Sequence, residues 1–137
     1  RRFDDLLPLE CFLGFQLVPA HVDWVNNAVI GARAGHPFLA HCLTTLRQTY
    51  TQSQYIPRGP ELLTAVLMRA GLVQHGRQDV RGVTLLPREC FYPYAWTETY
   101  SPDCISAETY AVHHWEGTWC EPKPASLPSP TDSGLTA

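Results

Sequence analysis

The stretch from Pro60 to Gly71 constrains the fold more than any other. Pro60 suits the first helical position, where its missing N–H has no partner to lose, and Gly71 suits the left-handed residue that stops a helix. Between them Leu63, Val66, Leu67 and Ala70 recur at three- and four-residue steps and make one apolar stripe. A helix with one apolar face must lay it on another element, and the neighbouring sequence offers strands. Cys11 to Val18 (CFLGFQLV) and Asn27 to Arg33 (NAVIGAR) are apolar and rich in aromatic or β-branched residues, as strands are. Gly82 to Leu86 and Thr109 to His113 read as shorter strands. His36-Pro37 opens a second helical pattern that puts Phe38, Leu39, Cys42, Leu43, Leu46 and Tyr50 on one face. Helices and strands in this mixture predict an α/β or α+β class.

Composition enters by what it excludes. A formal net charge of -3 with no basic run leaves no electrostatic footprint for nucleic acid. No apolar stretch is long enough to cross a bilayer, and the opening RRFDDLL is not a signal peptide. Any membrane association is therefore expected only through regions not in this chain. Glu121 to Ala137 holds Pro122, Pro124, Pro128 and Pro130 among Ser, Thr and Gly. It cannot bury enough apolar area to offset its ordering entropy, so a disordered tail over 121–137 is expected after one folded domain over 1–120. The cysteines Cys11, Cys42, Cys90, Cys104 and Cys120 form no CxxC pair, which disfavours a zinc ribbon. Buried thiols and lumenal disulfides both remain open.

Three segments could carry chemistry. Tyr110 to Trp119 (YAVHHWEGTW) sets two histidines beside two tryptophans. On a strand neighbours point to opposite faces, so His113 and His114 would not share one metal. Its tryptophans could stack on sugar rings or donate indole N–H to an anionic oxygen, or simply pack the rim of a core. Phe91 to Trp96 (FYPYAW) is an aromatic loop of the kind that lines carbohydrate sites, or that closes a core. Arg58-Gly59-Pro60-Glu61 opens a helix behind a glycine and presents free N–H groups to an anion or a sugar hydroxyl. Asp4-Asp5, just before Leu6-Leu7, reads as a helix start and not as a metal site.

In order along the chain, CFLGFQ at 11–16, NNAVIGARAGHPFL at 26–39, GPELLT at 59–64, RGVTLLPRECFYPYAW at 81–96 and YAVHHWEGTW at 110–119 resemble glycosyltransferase family 32. This family, with its DXD-containing sugar-binding region, includes mannosyltransferases and α1,4-galactosyltransferases. The resemblance implies the C-terminal, acceptor-side portion of a GT-A type fold, a mixed sheet with flanking helices. It implies retaining, metal-dependent transfer of a hexose from a nucleotide sugar to a glycan or glycolipid acceptor, with Mn²⁺ bridging the donor diphosphate. By position, Asn26 or Asn27 matches a catalytic asparagine near the transferred sugar. Gly59 and Pro60 match the turn facing the acceptor, and Trp119 a diphosphate contact; Tyr94 and Trp96 of the aromatic loop are expected to bind substrate as a sugar-facing surface. His113 matches a metal or diphosphate contact.

The DXD carboxylates of relatives stand a few residues ahead of the position of Asp4-Asp5, before Arg1. The first residue is not Met, and Met68 is the only methionine. A fragment that is inactive alone is therefore expected, its home a Golgi lumen or a bacterial cytoplasm. The competing expectation is a catalytically inactive, glycan-binding module that uses Trp96.

Overall fold

The structure is a computed structural model that describes residues 2–16 and 24–117. Its elements are β1 (Cys11–Phe15), β2 (Val25–Ala32), α1 (Pro37–Ser53), α2 (Gly59–Ala70), β3 (Gln78–Val80) and β4 (Val83–Leu86). Short 3-10 turns lie at Phe3–Leu6, Arg88–Cys90 and Pro102–Cys104. The strands form one mixed sheet in the order β2-β1-β4-β3. β1 runs parallel to β4, and the other two pairings are antiparallel. Among the described residues no helix is long and apolar enough to cross a membrane.

Alternation along β1 divides the interior into two layers, because successive side chains point to opposite faces. Cys11, Leu13 and Phe15 face the helices, where Phe38 and Cys42 of α1 and Leu63, Val66 and Leu67 of α2 complete one core. Each such side chain, once fully buried, contributes about 1.5–3 kcal/mol. Phe12 faces the other way, toward a second cluster of Leu6, Leu86, Cys90, Phe91 and Tyr92. Gly14 is required there: a Cβ would stand 2.7 Å from the Phe91 ring and 2.9 Å from Tyr92.

The helix boundaries follow the sequence signals. His36 caps α1, its Nδ1 accepting from the Phe38 amide at 3.3 Å, with Pro37 next in line. α2 opens at Gly59-Pro60. It ends at Gly71, whose φ of 121° lets its amide reach back to the Leu67 and Met68 carbonyls. Thr64 of α2 accepts the Val25 amide of β2 at 3.0 Å, which fastens the helix to the edge strand.

Two expectations need correction. The apolar stripe of α1 is only half used: Phe38 and Cys42 are buried, whereas Leu43 is 58% and Tyr50 52% exposed. Beyond Cys42 no residue of α1 is fully buried, so the helix docks by its first turns alone. Thr109 to His113 is not a strand. Its amides at Tyr110, Ala111 and His113 bond the carbonyls of Cys90 and Phe91. Those acceptors sit in a turn, and a turn cannot extend a regular ladder. β3, absent from the sequence reading, is a short pairing hidden among polar residues. β1 ends at Phe15, and the rest of the strand read to Val18 is described only as far as Gln16; the stretch 121–137 lies outside the described residues.

Candidate functional site

The carboxyl ends of the parallel strands β1 and β4 meet the start of β2, the position where open α/β sheets usually place ligands. There β2 leaves its register. Leu13 pairs with Ile30 but Gly14 pairs with Asn26, so Asn27, Ala28 and Val29 bulge out of the edge strand. Asn26 builds the bulge. Its side chain is buried, donates to Gln16 Oε1 at 2.5 Å and accepts the Ala28 amide on Oδ1 at 2.7 Å. With both ends of that amide engaged, Asn27 is the exposed member of the pair.

Asn27 lies directly on the opening of α2. A Cβ placed on Gly59 would stand 2.5 Å from Asn27 Cγ and 2.8 Å from Oδ1. Glycine at 59 therefore lets the Asn27 amide sit on the first turn of the helix, where unpartnered N–H groups and the helix dipole favour polar or anionic ligand atoms. Pro60 follows in the same turn. Glu61 steadies it by accepting from the Tyr55 hydroxyl at 2.7 Å and, more weakly, from the Arg58 amide at 3.4 Å. Beside this junction an open cavity of about 310 Å³ runs between β2 and the two helices. Asn27 and Gly59 meet it at one side, and Ile30, Leu39, Leu43 and Leu62 give it apolar walls.

The aromatic loop divides into core and surface. Phe91 and Tyr92 are fully buried and Tyr94 nearly so, whereas Trp96 is 58% exposed. The core-closing reading holds for 91–95, and Trp96 stands at the surface. The Tyr92 hydroxyl accepts the Val29 amide at 3.1 Å, and burial pushes its phenol up to about 12. The Trp115 indole N–H donates to the Tyr94 carbonyl at 3.0 Å.

The two histidines part, although no strand separates them. His113 packs edge-on against Trp115, centroids 4.5 Å apart, and against Tyr92 at 5.8 Å. His114 turns to Tyr100 at 4.9 Å, with its Nδ1 3.4 Å from the Tyr94 hydroxyl. Burial, helped by the neighbouring charge of His114, holds the His113 imidazole below its ordinary value of 6.5. Its ring is therefore mainly neutral at pH 7, the form that ligates a cation or accepts a hydrogen bond. Among the described residues no three His, Cys, Asp or Glu side chains come together to hold a metal ion. The described part of the chain does not by itself fit a divalent cation. Trp119 lies outside the described residues.

Asn27, Gly59 and Pro60 are thus brought together, as are Tyr94, His114 and Trp115, with Tyr92 reaching between the two groups. The sequence reading missed Gln16 and Tyr92. For Gln16 no local signal existed. For Tyr92 the signal was its place in a loop so aromatic that one ring could not be told from the next.

The family of this mixed sheet, with its helix-opening turn and aromatic loop, comes from the comparisons with known proteins. The alpha 1,4-glycosyltransferase conserved region matches residues 31–129, and the chain belongs to that glycosyltransferase family. Asn26 and Asn27 fall just ahead of the matched span. Among curated proteins the chain is similar to lactosylceramide 4-alpha-galactosyltransferases. It is 35% identical to the Mus musculus protein over 102 residues, covering 66% of this chain and 28% of that one. To the Homo sapiens protein it is 32% identical over 103 residues, covering 66% and 29%. To that of Pongo pygmaeus it is 32% identical over 102 residues, covering 66% and 47%. The chain thus spans less than half the length of these relatives. No solved structure gives a significant match.

Proposed function

We propose that this chain forms the acceptor-side part of a GT-A type, retaining glycosyltransferase that moves a hexose from a nucleotide sugar to a glycolipid. The observation that carries the reading is the family match across residues 31–129. The names of the relatives point to galactose as the sugar and to lactosylceramide as the kind of acceptor. The cavity beside Asn27 and Gly59 supports an amphipathic acceptor: its walls are apolar, and its polar edge is the asparagine amide on the first turn of α2.

In this reading Asn27 orients the transferred sugar, with Asn26 holding the bulge behind it. Gly59 and Pro60 shape the turn that meets the acceptor, and Tyr94 and Trp96 present the aromatic surface. Trp119 contacts the diphosphate. His113 is a ligand toward the expected Mn²⁺. Among the described residues no three His, Cys, Asp or Glu side chains gather to complete such a site, so His113 needs further ligands to hold the cation.

The test is an assay of the protein carrying this chain, with Mn²⁺ or a chelator, against a panel of nucleotide sugars. Acceptors are lactosylceramide and soluble lactose. The expected product is an α-linked hexose on the glycolipid, lost on chelation. Failure to transfer any sugar, combined with metal-independent glycan binding that Trp96→Ala weakens, would instead establish a binding module.

A further inference from the structure

Tyr92 has no role in the reading above, yet it reaches both candidate groups. Its ring is fully buried between Phe91, at 6.2 Å, and Trp115, at 5.9 Å, with the edge of His113 at 5.8 Å. Its hydroxyl, at the far end of the ring, takes the Val29 amide at 3.1 Å across 63 residues of chain. Val29 is the last residue of the bulge that begins after Asn26 and presents Asn27. A three-residue excursion from an edge strand lacks the ladder bonds that hold the rest of β2, so a bond from the opposite layer fixes where it lies. Asn26 ties the amino side of the bulge to Gln16, and Tyr92 ties its carboxyl side to the aromatic layer.

We propose that Tyr92 is a positioning residue, whose hydroxyl fixes the Asn27 bulge against the opening of α2 and whose ring fixes His113. The two candidate groups on opposite sides of the sheet are then held in one geometry by a single side chain. The inference rests on the transferase reading for its functional meaning, and its structural part can be read without it. The phenol keeps its proton at any working pH, so Tyr92 acts by geometry and not as an acid or base.

The experiment compares the chain with Tyr92→Phe, which keeps the buried ring and removes only the oxygen, and with Tyr50→Phe on the exposed side of α1. Amide exchange and side-chain amide resonances are followed by NMR. The same substitutions are assayed in the natural transferase. In the unaltered chain the Val29 amide is protected. Tyr92→Phe is expected to speed its exchange about five- to tenfold, as loss of one hydrogen bond does. It should also move the Asn27 side-chain resonances, while the amides of Leu13 and Leu67 keep their protection. In the transferase, kcat falls about tenfold or more with the donor KM little changed, because the groups are misplaced and not lost. Tyr50→Phe leaves exchange at Val29 unchanged.

An unprotected Val29 amide in the unaltered chain overturns the proposal, as does unchanged exchange in Tyr92→Phe. Faster exchange with undiminished kcat overturns the positioning role. If the unaltered transferase moves no sugar at all, the functional reading falls, and the link between Tyr92 and the bulge is decided by Val29 and Asn27 alone.

Discussion

Two glycines show how differently one absent methyl group can act. At Gly14 an added Cβ would strike the buried rings of Phe91 and Tyr92, which have nowhere to go. Gly14→Ala is expected to cost about 1–3 kcal/mol of stability by overpacking, read as a lowered denaturation midpoint. At Gly59 the obstacle is the far end of the exposed Asn27 side chain, which can swing away. Gly59→Ala is therefore expected to change stability by less than about 1 kcal/mol and yet displace the Asn27 amide and lower transfer. A variant that unfolds, or one that transfers normally, would remove the case for this junction. His113 gives a third prediction. Its folded pKa lies below the 6.5 of a free histidine, so below about that pH the unfolded chain binds the proton more readily. The stabilising preference for the neutral ring is complete above 6.5 and is lost as pH falls through the lowered folded value. An NMR titration of His113 should show a midpoint under 6.5, and His113→Gln should flatten that part of the stability profile. His113 stood out in the sequence because histidines beside tryptophans are conspicuous. Its neighbour Tyr92 did not, because a hydroxyl that reaches 63 residues back to a bulge leaves no trace in local spacing.

At the scale of elements, what could be read was what local chemistry decides. Pro60 and Gly71 marked α2 because a proline opens and a glycine closes a helix for reasons contained in a few residues. The same holds for His36-Pro37 ahead of α1. The depth to which α1 buries its stripe was not legible, since periodicity reports which residues share a face and not how far the partner layer extends. The consequence is testable. Leu67 is fully buried between α2 and the sheet, and Leu67→Ala should cost about 2–5 kcal/mol. Leu43→Ala, on the same kind of stripe in α1, should stay within about 0.5 kcal/mol because its side chain already meets water. Equal costs, measured by denaturant unfolding, would mean that α1 docks along its full length. Thr109 to His113 teaches a related lesson. Its alternation is strand-like, but the amides of Tyr110, Ala111 and His113 bond carbonyls in a turn, so extended sequence produced an ordered coil.

Across the whole molecule, one mixed sheet carries a helical layer on one face and an aromatic layer on the other. The candidate groups straddle its edge where β2 bulges. That arrangement links residues far apart in the chain: Asn27 lies on Gly59, and Tyr92 joins the bulge that carries Asn27 to His113. Within it the described residues hold an imidazole kept below its ordinary pKa by burial, and no group of three side chains that could hold a metal ion.

The most direct measurement is mass-spectrometric detection of product when the protein carrying this chain meets lactosylceramide, Mn²⁺ and a nucleotide-activated hexose. The account predicts a glycolipid heavier by one hexose, joined in α linkage, with the yield falling sharply in Gly59→Ala and Tyr92→Phe. Unmodified glycolipid with every nucleotide sugar offered, from a protein shown to be folded, would contradict it.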